Sequence, residues 1–232
     1  MRKCIDMGEG REIIINDKDM LKPDGTLEIP DIGLGEAYLG KASYVVYDEE
    51  DIDDDLLKLV CARKYNEPLV IARTERFIIR EMTVGDLLHL YELYQTLSDC
   101  PYVEPLYEYE DEKAFTIKYI ENMYGFFGYG LWLVFDKKTG ELVARAGIEN
   151  RSIDGQNCQE LGYLVKKSWQ GKHVAWEVMN HIVDIAKDRF GLDELYICTV
   201  KTNNPSIQLA LKLGFTLYAG DTDGMNIYRK KL

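Results

Sequence analysis

No stretch of this 232-residue chain approaches the roughly 18 consecutive apolar residues that a membrane-spanning helix needs, so no membrane span is expected. The opening MRKCIDMGEGREIII carries Arg2 and Lys3 but no apolar stretch of about 7–15 residues, and so does not read as a secretory signal. No internal repeat or low-complexity tract appears. The five cysteines (Cys4, Cys61, Cys100, Cys158, Cys198) form no CxxC pair and stand near no His at metal-ligand spacing. Odd in number and scattered, they read as mostly buried free thiols of a protein in a reducing cytoplasm. Histidine is scarce as well. His89 falls inside a helical stretch and reads as structural or surface, while His173 and His181 lack further ligands at metal spacing, so no metal is expected. Positive charge is also short: 28 Lys and Arg stand against 40 Asp and Glu, a net charge of −12. Of that, −8 falls on residues 1–75 and −4 on the rest. Such a surface repels a phosphate backbone, which argues against nucleic acid as a partner, and favours a cationic substrate such as an amine.

What is present suits a globular chain with a real core: 46% of residues are hydrophobic. The length fits one generous domain, or one domain of about 150 residues plus an appendage. Residues 1–75 differ in texture from the rest. REIII (Arg11–Ile15) and SYVVY (Ser43–Tyr47) read as strands, with turn-rich PDG and DIGLG between them. The acidic run DEEDIDDD leads into LLKLVCARKY, with acids ahead and bases at the far end as a helix macrodipole prefers, and Pro68 is expected to end that helix. The acids read as a solvated helix start. Two strands and a helix are too little for an independent domain, so residues 1–75 are expected to be a small α/β appendage that packs on the larger domain or makes a homodimer contact.

From Arg76 to the C-terminus the signals sharpen. RFIIRE is a strand, and MTVGDLLHLYELYQ a helix with Thr83 as N-cap and Leu87, Leu90, Tyr91 and Tyr94 at helical spacing. A second helix is expected over Asp111–Tyr124. GLWLVFD and ELVARAGIEN form a hairpin through KKTG, and ELGYLV (Glu160–Val165) is the next strand. It runs straight into SWQGKHVAW and a long helix with Val174, Val178, Ile182, Ile185 and Ala186 on one face and Gly191 beyond its end. ELYICTV is a strand, and NNPSIQLALKLGF a short helix stopped by Gly214. Phe215–Ala219 and Met225–Arg229 close the chain as a hairpin around DTDG.

The strand–turn–helix at 160–186 carries the chemistry. A helix start presents unpaired N–H groups and partial positive charge, a ready seat for phosphate. By itself QGKHVA is neither GxxxxGK[ST] nor GxGxxG. Its context resembles the GNAT superfamily of N-acetyltransferases: Val165, then Gln170-Gly171-Lys172-His173-Val174-Ala175 against the pattern Gln/Arg-x-x-Gly-x-Gly/Ala, then Asn203 and Ser206 in NNPS, then LKLGF. LGYLVKKSWQGK looks most like the branch of ribosomal-protein N-terminal acetyltransferases. The resemblance covers residues 76–232, in the order strand, two helices, three strands, helix, strand, helix, two strands. It implies an α/β (α+β) GNAT fold, with a mixed, mostly antiparallel sheet of about seven strands flanked by helices.

The resemblance further implies acetyl-CoA as co-substrate and a primary amine, small or a peptide N-terminus, as acceptor. Pyrophosphate would sit on the N–H groups from Gly171 through Lys172, His173 and Val174 to Ala175, next to Gln170. The pantetheine arm would pair with the strand edge of Tyr163, Leu164 and Val165, and an N–H near Tyr163 or Leu164 would polarise the acetyl carbonyl. Attack needs a neutral amine and therefore a base; Glu160 is the first candidate and Glu149 the second. Relatives often supply a Tyr four residues beyond the position of Ser206, where this chain has Ala210; Ser206 is then expected to serve the sulfur or pantetheine, with water supplying the proton. Asn203 either contacts the cofactor or caps its helix. His173 is expected to tolerate the cradle at negative φ, its Cβ turned away. The loop 99–110, with four acids and three tyrosines, belongs to the acceptor pocket and suits a cationic, partly apolar amine. The alternative to an enzyme is a catalytically weak acyl-CoA-binding module, sensing or structural.

Overall fold

A computed structural model describes residues 2–17, 20–222 and 224–232. The chain divides into two compact units, residues 1–69 and residues 70–232. In the first, strands β1 (Arg2–Gly8), β2 (Arg11–Asn16), β3 (Ile32–Leu34) and β4 (Tyr44–Val46) form a sheet in that order. The first pair is antiparallel and the other two are parallel. Helix α1 (Asp54–Lys64) seats Leu57, Val60 and Cys61 in one cluster with Ile13, Ile15 and Ile32. The acidic run behaves as expected: the Asp53 carboxylate accepts from Leu56 N–H at 2.8 Å, with Asp54 and Asp55 in the first turn. The helix stops before Pro68, at Lys64, where Asn66 turns the chain at φ 54°. Four strands stand where two are expected, because β1 is too polar and β3 too short to announce themselves.

The second unit opens with β5 (Val70–Arg73), hydrogen-bonded to β6 (Phe77–Arg80), so these residues belong to the large sheet rather than to the N-terminal segment. Next come α2 (Leu87–Gln95) and α3 (Tyr109–Tyr119), then β7 (Leu131–Asp136), β8 (Leu142–Ile153) and β9 (Gln156–Val165). They are followed by α4 (Val174–Asp188), β10 (Glu194–Val200), α5 (Asn204–Lys212), β11 (Thr216–Thr222) and β12 (Met225–Lys231). The eight strands lie in the order β11-β12-β10-β9-β8-β7-β6-β5, and every neighbouring pair is antiparallel except β9 with β10. This is the mixed α/β sheet expected, with β5 as an eighth strand. Part of the closing turn, Asp223, lies outside the described residues. The helix expected over 111–124 is instead α3 followed by a wider π-helical turn, Ile120–Phe127, which ends at Gly128 with φ 77°.

Strand periodicity assigns the faces. Trp132, Ala146 and Tyr163 are cross-strand neighbours, and Phe190, just past α4, stacks on Trp132. These residues therefore face α4. Arg145, Glu149 and Glu160 face the opposite side, where Arg145 meets Tyr94 of α2 and Glu149 meets Tyr119 of α3. At Gly147 of β8 a Cβ would fall 1.9 Å from the carbonyl oxygen of Gly130, the residue just ahead of β7.

Candidate active site

Strands β9 and β10 run parallel but share one register pair, Glu160 with Tyr196, among the described residues. Beyond it β9 stays paired with β8 on its other edge and β10 with β12. The two strands thus part company, leaving one edge of β9 open from its middle to Val165. The Lys166 N–H bonds to the Val143 carbonyl at 2.9 Å, and the Ile148 N–H turns away from β9 to Gly130 at 3.1 Å. With a period of two, Leu164 therefore spends its N–H on β8, while Tyr163 presents its N–H and C=O to the opening. Of the two candidate donors, the geometry places Tyr163 on the open edge and not Leu164.

The open edge leads into the start of α4. Gln170 steadies the bend by donating from Nε2 to the Val165 carbonyl at 3.0 Å. Gly171 (φ 72°) and His173 (φ 61°, ψ 17°) are both left-handed. The negative φ expected of His173 is therefore wrong: the imidazole occupies a conformation that favours glycine, at a cost of about 1–2 kcal/mol. His173 is the N-cap without a capping side chain, and it is exposed. The N–H groups of Val174, Ala175 and Trp176 begin the helix without intrahelical partners. Lys172 is exposed, with its ammonium 5.1 Å from the Trp169 ring centroid.

A clamp invisible in the motif holds this cradle. Arg76 donates from Nη1 to the Lys172 carbonyl at 3.1 Å and from Nε to Glu177 at 2.7 Å, and Glu177 also accepts from Thr74 Oγ1 at 2.6 Å. Burial pushes Glu177 up, but these hydrogen bonds outweigh it and hold the carboxyl below its ordinary value. On the cradle's other flank Trp176 is 40% exposed beneath the Lys212 ammonium, 4.8 Å from its ring centroid. A loop bridges the ends of the two diverging strands. Just past β9, the Lys167 N–H donates to Thr96 Oγ1 at 3.2 Å and its ammonium pairs with Asp99. Just past β10, the Tyr102 hydroxyl donates to Thr202 Oγ1 at 3.2 Å.

The two candidate bases sit directly across from each other on β8 and β9, and their surroundings set them apart. Glu160 is neutralised: Arg151 Nη1 donates to it at 2.8 Å, and the Cys198 N–H lies 3.3 Å from its other oxygen. Among the described residues, Glu149 has no counter-ion in contact and accepts one hydrogen bond, from the Tyr119 hydroxyl at 3.2 Å. Burial raises its pKa, with Glu160 adding to the effect, although Arg145 and Tyr119 pull the other way. A half-buried carboxylate with a raised pKa suits proton abstraction near neutral pH, so the geometry favours Glu149 over the expected Glu160. Tyr119 is fixed in turn by the Leu131 N–H at 2.7 Å. Arg145 lies buried beneath, 3.0 Å from the Tyr94 hydroxyl and 5.6 Å from the Tyr119 ring centroid.

The remaining candidates fall on α5. Asn203 caps it, its side chain accepting from the Ser206 N–H at 3.3 Å. Ser206, in the first turn of α5, is buried. Ala210, one turn on, is fully buried. Among the described residues no three His, Cys, Asp or Glu side chains gather as a metal site.

A sequence model of the acetyltransferase (GNAT) domain family matches residues 76–216. The uncharacterized protein YkkB of Bacillus subtilis strain 168 is 28% identical over 144 residues, covering 61% of this chain and 82% of its own. An acetyltransferase structure from Agrobacterium tumefaciens superposes with a TM-score of 0.57 at 23% identity, over 68% of this chain and 92% of its own. RimL, a ribosomal alpha-N-protein acetyltransferase solved in complex with coenzyme A, does so with a TM-score of 0.60 at 14% identity, over 70% and 98%.

Proposed function

The chain belongs to the acetyltransferase (GNAT) domain family, and from that premise we propose that it transfers acetyl from acetyl-CoA to a primary amine by direct attack on the thioester. The carrying observation is the continuous path from the open edge of β9 into the start of α4. It offers strand-like hydrogen bonds and then free helical N–H groups, in the order in which an amide-bearing arm and a pyrophosphate follow one another. The bound co-substrate supplies the activated acetyl group; the chain supplies the rest. N–H groups from Gly171 to Ala175 hold the pyrophosphate, with the Arg76–Glu177 clamp fixing their position. Trp176 and Lys212 offer a ring and a cation to the nucleotide end. The N–H of Tyr163 polarises the acetyl carbonyl.

Glu149 takes the proton of the attacking amine, and Glu160, locked to Arg151, orients the strand opposite. The acceptor enters from the α2–α3 side. Between Arg80 and Lys113 the chain carries no Lys or Arg, and Tyr107 and Phe115 are exposed there, 5.8 Å apart between ring centroids. Phe115 lies 6.0 Å from Tyr119, so a row of rings leads from the surface to the hydroxyl that touches Glu149. That lining fits an amine, free or at a peptide N-terminus, with an apolar portion and net positive charge.

The test combines acetyl-CoA with a panel of small amines and peptides and follows free thiol and CoA binding together. Thiol release that depends on an amine supports the reading. Measurable CoA binding with no release from any amine sinks it in favour of an acyl-CoA-binding module, which the missing phenol at Ala210 favours.

A further inference from the structure

Arg145 is buried on β8, on the same face of the sheet as Glu149 four residues on. A buried guanidinium normally recovers its lost hydration from a carboxylate. Among the described residues no carboxylate contacts this one, and its Nε has no hydrogen-bond partner. Phenols face it instead. Its Nη1 donates to the Tyr94 hydroxyl of α2 at 3.0 Å, and its guanidinium carbon stands 5.6 Å from the centroid of the Tyr119 ring. Tyr124, from the π-helical turn, also acts on it. Burial pulls the Arg145 pKa down, but the phenols more than restore it, so the side chain stays a cation. For packing alone, an apolar side chain of similar length would serve the fold as well. The charge therefore calls for a use.

Tyr119 connects that charge to the base. A cation near a phenol ring draws on its electron density and makes the hydroxyl a stronger donor. The Leu131 N–H, at 2.7 Å, occupies the acceptor side of this hydroxyl, which leaves its proton for Glu149 at 3.2 Å. Tyr119 and Tyr124 act on Glu149 from the α3 side, Tyr124 itself lying in the field of Glu81. Glu160 faces it from β9, and Arg151 of its own strand is paired with that Glu160. Burial is the largest influence on the Glu149 pKa and raises it; Arg145 is the largest that lowers it, ahead of the Tyr119 hydrogen bond.

We propose that Arg145 is a positioning residue for the transfer: linked through Tyr119, it is the counter-charge that lets Glu149 stand as a carboxylate in a buried setting. This rests on the acetyl-transfer reading above, in which Glu149 takes the proton of the amine. Such a base must accept a proton readily without already holding one at neutral pH. Burial supplies the first property and Arg145 the second.

The readout is the acid limb of the pH profile of kcat/KM, taken with acetyl-CoA and the same amine for every variant, so that the titration of the amine is common to all. In Arg145→Met the limb should move up by about one pH unit, at the low end of what a nearby opposite charge contributes. The rate should then fall about tenfold on the limb and return to within about threefold of wild type on the alkaline plateau. A side chain that only packs would lower the rate equally at every pH. Arg145→Lys, which keeps a cation, should move the limb less than half as far, and Tyr119→Phe, which cuts the link, should move it upward too. A carbon-13 NMR titration of the Glu149 carboxyl, assigned by its absence in Glu149→Gln, should rise with the limb. Arg145→Gln, which can still donate to Tyr94, takes the place of Arg145→Met if the latter does not fold. The proposal is overturned if the limb and the carboxyl titration stay where they are in wild type, if the loss is the same at every pH, or if Arg145→Lys moves the limb as far as the neutral variant. A wild type that acetylates no amine removes the acetyl-transfer reading and the proposal with it; a wild type that turns over while the limb stays fixed in the Arg145 variants overturns the proposal alone.

Discussion

Replacing Glu149 by Gln should separate two consequences of one carboxylate. The amide oxygen can still accept the Tyr119 hydrogen bond, 3.2 Å in the native protein, but the side chain no longer takes up a proton. Losing a positioned base costs about 10²–10⁴ in rate, equivalent to about 2.7–5.5 kcal/mol of barrier. Stability should move the other way. Burial, reinforced by Glu160, holds the Glu149 pKa above its ordinary value, so the folded state binds this proton more tightly than the unfolded chain does. Below the unfolded value both states are protonated and nothing is lost. As pH rises from there through the folded value, the native state loses stability, and above it the loss is complete. The neutral amide escapes that loss, so Glu149→Gln should be more stable than wild type at neutral pH by about 0.5–2 kcal/mol. The two should converge near pH ~4, around the reference carboxyl value. Amine-dependent thiol release gives the first effect, and thermal unfolding at acid and neutral pH the second. A variant within about threefold of wild-type kcat/KM at neutral pH would refute the base assignment, whatever its stability.

Glu160→Gln should show the reverse pattern, because it removes the counter-ion of Arg151: a loss of about 1 kcal/mol in chemical denaturation with a smaller kcat effect than Glu149→Gln. His173→Gly, relieving the left-handed N-cap, should raise stability by up to about 1 kcal/mol after the entropy cost of glycine, and calorimetry should find CoA binding equal or tighter. A tenfold loss of affinity, about 1.4 kcal/mol, would mean that the imidazole itself holds the cofactor. Gly147→Ala would set a Cβ 1.9 Å from the Gly130 oxygen; we expect an insoluble protein, or one losing at least about 3 kcal/mol by denaturant titration.

Much of the second unit is legible in the residues because its elements announce themselves independently. The α4 stripe of Val174, Val178, Ile182 and Ala186 is a regular helical face that lies buried as a set. The turn between β7 and β8 declares a hairpin. What stays hidden depends on register. The sequence ranks Glu160 ahead of Glu149 as the base; only cross-strand pairing brings Arg151 to the first and Tyr119 to the second. The Arg76–Glu177 clamp joins residues 101 positions apart, a relation that no local pattern encodes. Likewise, the φ of His173 is set by how β9 turns into α4, against the preference of the residue itself.

The loop that carries Thr96, Asp99 and Tyr102 spans the mouth between β9 and β10, and on the proposed reading it also borders the acceptor. Donor and acceptor are therefore thermodynamic neighbours as well as spatial ones. Any adjustment of the two anchor points on filling the opening is felt where the amine must dock. Linkage then requires the amine to change the affinity for CoA by the same factor as CoA changes the affinity for the amine. With a strap anchored at both strand ends, that coupling becomes a property of the fold.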